Sequence, residues 1–475
     1  MAQRLAPVIP FVGTPTQRYL GTGDERYVNC IFEAIPNPLT REQTVFCIKR
    51  PGLSNHSQAS TSSIGRGVHA WARTGSVYQV LGNRIFRDTT DLTSSLTMNT
   101  STGRCWFVEI PQSTGNEALI VSDGQDNYNI TSTHTLTQID QTDDTDYPVS
   151  NLGPINYLDG YIFQAQSNGR IWNSDLNNIS SWTANSFITA DTHAGQLEAI
   201  HLQKDQELAW TKNRTEFFFN NGNPTGSPLL RIDQNTLGVG MASRESLAFS
   251  GEIALWVGEN AGDGDGGRAV YIAASHKVKD VSTPVINRFL QGEGQSITSC
   301  TAFMERFSGH LVYVLNLRSA NRSFAYSVEA GLWSEWQSSS GAAFRGVSAT
   351  SLNGAIYIQD ADNGRVYTIN ASTFRDSGSD FTVRLQTKKH TFGTNARKYQ
   401  DGLTLIGDET LGVVSTYVSD DDYQTTSIVG SISMTGTRKY LSRLGGFDSR
   451  SYAFAYADNS TFRVQGFIPE IKVGM

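Results

Sequence analysis

The chain is poor in cysteine, has no excess of positive charge and nowhere stays apolar for long. Its four cysteines, Cys30, Cys47, Cys105 and Cys300, are scattered over 475 residues. None belongs to a CxxC pair, which argues against a metal knuckle or a disulfide framework and for buried free thiols made in a reducing cytoplasm. The formal net charge of −7 argues against a domain that grips nucleic acid by neutralising phosphates, but not against one that surrounds or guides it. No apolar run approaches the roughly 18–20 residues needed to cross a bilayer. The opening MAQRLAPVIPFVG is a poor signal peptide, because Pro7 and Pro10 break its short apolar run. The Asn-x-Ser/Thr triplets at Asn129 and Asn213 therefore reflect composition, not glycosylation. Any extended 3.6-residue periodicity is missing too, so helices are not expected.

What the chain does contain is Gly, Ser, Thr and Asn in quantity, with aromatics spread evenly. Strand–turn–strand hairpins recur, as in YIFQAQSNGRIW. They begin near Ser76, Glu117, Gly160, Glu207, Ile253, His310 and Ala355. Most starts lie about 41 to 46 residues apart, the length of one four-stranded propeller blade. The Gly-Asp-rich insertion after Ile253 accounts for part of the one long gap. Ser-Asn-Gly, Leu-Gly-Asn and Asp-Asn-Gly turns supply the positive φ that tight hairpins require. One such sheet cannot bury both faces, whereas radial stacking buries them and leaves only short edges. The expectation is an all-β chain: a β-propeller of roughly six or seven blades over residues 54–374. Residues 1–53 are read as a strand or arm region that closes or extends it. From residue 375 to 475 the strands lengthen and carry denser charge, which reads as a β-sandwich-like domain or extension, able to lend a strand to a blade.

Chemistry is hard to find in this pattern. Glycoside hydrolysis needs two carboxyl groups across one bond. Asp143, Asp144, Asp146, Asp175 and Glu216 are the acids that could converge, but Asp beside a turn is usually a turn-former. The Ser419–Gly430 stretch is like an Asp-box hairpin with Tyr423 in the place of its glycine. The Gly258–Gly267 loop offers Glu259, Asp263 and Asp265, oxygens that calcium could bind, at spacings that fit neither an EF-hand nor a calcium-binding repeat. His193 and His201 have no partner at ligand spacing. Gly21–Arg26 starts like a dinucleotide loop but lacks its third glycine. No GxSxG elbow supports a serine nucleophile. The tryptophans Trp172, Trp182, Trp210, Trp256, Trp333 and Trp336 read as blade core rather than ligand platforms. No catalytic, cofactor-binding or metal-binding residue is assigned, and no cofactor is expected.

Two long runs are more specific than a propeller demands. The first carries Gly169, Arg170, Ser174, Asp175, Leu176, Trp182, Ala190, Asp191, Thr215, Glu216, Phe217, Gly222 and Pro228. The second carries Gly238, Ser243, Trp256, Gly258, Gly267, Val270, Tyr271, Val281, Ser282 and Thr283. With Asn29, Glu33 and the Pro51-Gly52-Leu53 turn, and with GLWSEW at Gly331–Trp336, their order resembles the tail-hub proteins of short-tailed bacteriophages. These are also called nozzle or packaged-DNA stabilisation proteins. Asn287 stands where an acid would be common, and the glycine loop is longer than usual.

The resemblance implies a structural virion protein without an active site. It implies a ring, a homohexamer, below the head-to-tail adaptor on the portal. Such a ring continues the DNA ejection channel, receives fibres, tailspikes or a needle, and helps retain packaged DNA. Double-stranded DNA would pass through the lumen without sequence-specific contact. The competing reading is a carbohydrate-active or carbohydrate-binding propeller, depolymerase or sialidase-like, acting on host glycans.

Overall fold

The computed structural model describes residues 8–12, 25–36, 43–94, 96–111, 117–190, 196–232, 236–259, 267–274, 277–370 and 372–474. Seven antiparallel sheets of the propeller type follow one another along the chain. Six are blades drawn from consecutive sequence: residues 65–91, 106–139, 151–189, 197–231, 243–280 and 301–335 (blades 1 to 6). Blade 7 takes three strands from residues 346–370 and its outermost strand, Gly52–Gln58, from the other end of the chain.

The second strand of each blade is where the hairpins of the sequence begin. Ser76–Leu81, Ala118–Ser122, Tyr161–Gln166, Gln206–Thr211, Ile253–Glu259, His310–Leu317 and Ala355–Asp360 start within one residue of the expected positions. Most are enclosed by neighbouring blades on both faces, which is why Ala118–Ser122 is buried at every position. Core clusters accordingly straddle blade boundaries. Tyr78, Val80 and Ile85 of blade 1 pack with Leu119, Val121 and Tyr128 of blade 2. Val68 and Ala70 of blade 1 meet Val366 of blade 7, closing the circle.

One expectation needs correction. A helix, Pro284–Gly292 (α1), and a 3₁₀ turn, Gly294–Ser299, stand between blades 5 and 6. They supply the rest of the long gap after Ile253. Thr283 caps the helix by accepting the Ile286 N–H, Pro284 fits its first turn, and Ile286 and Leu290 bury one face in a core shared by blades 5 and 6.

Beyond the propeller lie two further sheets. One orders Cys30–Pro36, Gln43–Lys49, Arg463–Val473, Lys398–Gly407 and Tyr440–Phe447. The other orders Arg26–Val28, Val383–Gln386, Ser451–Tyr456, Val413–Ser419 and Ser427–Ser433. They share a core of Phe32, Leu385, Leu403, Tyr452, Phe454 and Phe467 among others, and so form a sandwich built from both ends of the chain. Arg26–Val28 also pairs in parallel with Leu332–Glu335 of blade 6, so one nine-stranded sheet runs from propeller into sandwich. The short hairpin Arg375–Asp376 and Ser379–Asp380 adds to the edge of blade 7 through Gly52–Gln58.

Arg50 bolts these parts together. Its guanidinium is almost fully buried and forks onto Asp376 at 3.0 and 2.6 Å. It also donates to Asn29 Oδ1 (3.0 Å), Pro51 O (3.1 Å) and Gln337 O (3.0 Å), and lies 3.8 Å from the centroid of the Phe381 ring. Next to it Gly52 leaves no room for a side chain: a Cβ there would sit 2.2 Å from the Arg375 carbonyl oxygen. We expect Arg50→Gln to cost about 3–5 kcal/mol in chemical denaturation, because it strands a buried carboxylate. The double variant with Asp376→Asn should cost less than the sum of the two single changes, and strict additivity would contradict the coupling.

Candidate functional site

In propellers the natural place for a ligand is the axial channel, where the innermost strands converge. Here five of those strands carry a register shift, at Gly65/Gly67, Asn151/Ile155, Leu197/Ala199, Ser243/Ala248 and Gly346/Ser348. Such bulges re-aim side chains. Arg66, Glu198, Arg244 and Glu245 lie in or beside these irregular stretches, all at the entering end of the inner strands.

Arg104, just before blade 2, reaches blades 5 and 6. Its Nη1 donates to the carbonyls of Glu245 (3.2 Å), Leu247 (2.7 Å) and Ala302 (3.2 Å), and its backbone N–H to Glu245 Oε1 (3.0 Å). Its guanidinium lies 4.1 Å from the Trp106 ring centroid. Arg244 of blade 5 donates to Leu152 O in blade 3 at 2.7 Å and to Glu198 Oε2 in blade 4 at 3.3 Å. Blades 2 and 5 are not neighbours, and neither are 3 and 5, so these bonds cross the axis. They plug it. Arg66 adds bonds to the carbonyls of Gly82 (2.8 Å), Thr100 (2.8 Å) and Gly103 (2.7 Å).

Burial sets the electrostatics of the plug. It pushes the Arg104 guanidinium down to about 10, against the opposing pull of Glu245 and Tyr313. It raises the Glu245 carboxyl above its ordinary range, opposed by the Arg104 N–H and by the charges of Arg104, Arg244 and Arg66. Glu198 accepts from Arg244 and Glu245 from the Arg104 N–H, an arrangement that braces the blades.

The acids singled out from the sequence serve as turn and edge fixtures. Asp144 and Asp146 accept the N–H groups of Trp182 (2.9 Å) and Ala184 (3.1 Å), covering the exposed edge of the long outer strand Asn178–Thr189. Asp143 accepts the Asp140 N–H at 3.2 Å, and Asp175 the hydroxyls of Ser181 (2.7 Å) and Thr183 (2.9 Å). Glu216 is buried in blade 4 against Arg231 at 3.0 Å. Asp144, Asp146 and Asp175 therefore meet at Ser181–Ala184, bonded to its N–H and hydroxyl groups, while Glu216 pairs in blade 4 instead. In the Ser419–Gly430 turn, Asp421 accepts the Thr425 N–H (3.0 Å) and the Ser419 hydroxyl (2.9 Å). His201 is buried, stacked on Phe249 with ring centroids 3.8 Å apart, and burial lowers its pKa to about 3. His193, Gly21 to Asp24, and Asp263 and Asp265 of the glycine loop lie outside the described residues. Among the described residues no group of three or more His, Cys, Asp and Glu is placed to hold a metal. Cys30, Cys47, Cys105 and Cys300 are buried free thiols. Trp182, Trp210, Trp256 and Trp336 are blade core, while Trp172 and Trp333 are half-buried.

Residues 27–374 match the phage stabilisation family, described as "Bacteriophage P22 Gp10, beta-propeller". The chain belongs to this family. It is a phage tail structural protein with a β-propeller, and its place is the virion. No curated protein sequence matches it. Solved structures similar to it include a streptogramin B lyase, 12% identical with a TM-score of 0.39, covering 68% of this chain and 97% of that one. The N-terminal domain of Nup159 is 10% identical with a TM-score of 0.40, covering 73% and 99% respectively. No helix among the described residues is long and apolar enough to cross a membrane. Within the family's match, Arg50, Arg66, Arg104, Arg244 and Glu245 went unnoticed in the sequence. Only the register of bulged strands brings the last four together.

Glu207 of blade 4 is fully buried. It accepts the Asn156 amide at 2.5 Å, and burial raises its carboxyl to about 8 from an ordinary value of 4.5. The folded chain then keeps a proton that the unfolded chain releases, so stability is full below pH 4.5 and is lost as pH rises through about 8. Glu207→Gln should remove this slope: denaturation midpoints of variant and parent should agree near pH 4 and diverge, with the variant higher, near pH 9.

Proposed function

We propose that the chain is a wall unit of the tail hub, or nozzle, of a short-tailed phage. Several copies close into a ring, a homohexamer, below the head-to-tail adaptor. The ring continues the DNA ejection channel, docks fibres, tailspikes or a needle, and helps retain the packaged genome. The propeller bears load and docks partners, and it is not an enzyme.

The observation that carries this reading is the plugged axis in a chain of this family. Arg104 and Arg244 span the propeller's own axis between non-adjacent blades, which supports a DNA lumen between copies rather than through one. One heterologous interface repeated around an axis gives a closed ring. A net charge of −7 suits such a conduit, since a lumen without strong positive potential does not trap a passing polyanion. The carbohydrate-active alternative needs paired free carboxyls, and the axial acids are tied up.

Electron microscopy of the purified chain with its adaptor, and of virions labelled against it, tests the reading. The expected image is a ring with a central hole bounded by several propellers, each solid at its own axis. A stable monomer that releases reducing sugar from capsule or lipopolysaccharide would overturn it.

A further inference from the structure

A cleft of about 300 Å³ opens where the propeller meets the sandwich. Its floor is the outward face of the nine-stranded sheet, and α1 with Trp333 and Phe324 forms the apolar wall. Register sets Arg26 opposite Gln386 and Val28 opposite Arg384. Side chains alternate along a strand, so Val383 and Leu385 enter the sandwich core while Arg384 and Gln386 face the cleft.

The charges in this cleft do not balance. Arg26 forks onto Glu335 at 3.2 and 2.8 Å, and Arg322 reaches the same carboxylate at 3.0 Å. Glu25, the other acid of the lining, is engaged with the Tyr27 hydroxyl. Arg384 donates only to Gln386 Oε1, at 3.3 Å; its Nε is buried without an acceptor, and no ion pair involves it among the described residues. Burial lowers its pKa, the neighbouring Arg26 cation lowers it further, and Tyr417 opposes them. The N-terminal end of α1, at Thr283, also lines the cleft, and the first turn of the helix holds no acid. Arg384 is half-buried with its Nε enclosed and unbonded, and a carboxylate fitted to such a guanidinium forms the strongest class of hydrogen bond.

We propose that this cleft docks an acidic, aromatic-bearing peptide segment of a partner protein, its carboxylate between Arg384 and Arg26 and its apolar side chain against Phe289 and Trp333. Aromatic walls beside a charge-assisted contact are the pattern of an interface hot spot. A duplex, by contrast, presents evenly spaced phosphates to broad basic surfaces and does not enter an enclosed cleft with a single unmatched cation. A segment seated here touches blade 6, α1 and the sandwich at once, and so holds the two halves of the subunit in one relative position.

The proposal stands apart from ring formation and is tested on the purified full-length chain. The probe is acetyl-Asp-Phe-Glu-Phe-amide, followed by calorimetry and tryptophan fluorescence, with acetyl-Asn-Phe-Gln-Phe-amide and inorganic phosphate as controls. The acidic peptide should bind at least about tenfold tighter than the neutral one, a difference of about 1.4 kcal/mol. Arg384→Gln should erase that preference and should melt no lower than the parent, since it removes an unmatched cation. Arg384→Lys should restore part of the preference, and Phe289→Ala should weaken both peptides alike. Equal affinity for the two peptides, a preference that survives Arg384→Gln, or phosphate that competes as well as the acidic peptide would overturn the proposal. Any of these would leave the tail-hub reading standing.

Discussion

The Arg50–Asp376 pair, buried between Asn29, Gln337 and the Phe381 ring, is the contact on which the rest of the subunit depends. A propeller must close, and this one closes with a strand from near its N-terminus. That strand, Gly52–Gln58, leaves the sandwich immediately after Arg50, at the point where blades 6 and 7 and the C-terminal chain all pass. A guanidinium suits such a crossing because it offers several fixed donors to carbonyls and carboxylates that arrive from different directions. Hydrophobic packing alone would hold the pieces together without fixing their register.

The axial plug answers a different requirement. Radial stacking buries the two faces of each blade but leaves a channel at the centre, where polar backbone would be stranded. Arg104 and Arg244 donate to inner carbonyls of non-adjacent blades, while Arg66 donates to carbonyls of its own blade and of the connection to blade 2. The outcome is a body braced across its middle.

Legibility in the sequence followed burial. The second strand of each blade was plain, because a strand enclosed on both faces reads as a short apolar run beside a Gly or Asn turn. Outer strands were not: Thr90–Asp91 is two residues long, and nothing in its composition marks it as a strand. The helix Pro284–Gly292 escaped because nine residues with only Ile286 and Leu290 buried give too little periodicity. The pair Thr283-Pro284 was the start signal available. The strands at 26–49 look like the propeller strands that follow them, and only long-range pairing assigns them to the sandwich. The Asp144 and Asp146 cluster was visible as residues, while its role on the edge of blade 3 depended on where Trp182 and Ala184 lie. Arg104 carries no mark at all, since its partners are more than a hundred residues away.

Blade 7 drawn from both ends of the chain has a consequence for biosynthesis. Gly52–Gln58 has no ladder to join until residues 365–370 leave the ribosome, and Glu33 waits longer still for Arg463. Loop-closure entropy weighs heavily against such distant pairings. The emerging polypeptide therefore cannot complete blade 7 before residue 370, nor the sandwich before Arg463–Val473, has been made. A polypeptide that stops short of Arg463–Val473 leaves Gln43–Lys49 and Lys398–Gly407 without the strand that joins them, so the topology makes the sandwich an all-or-none structure.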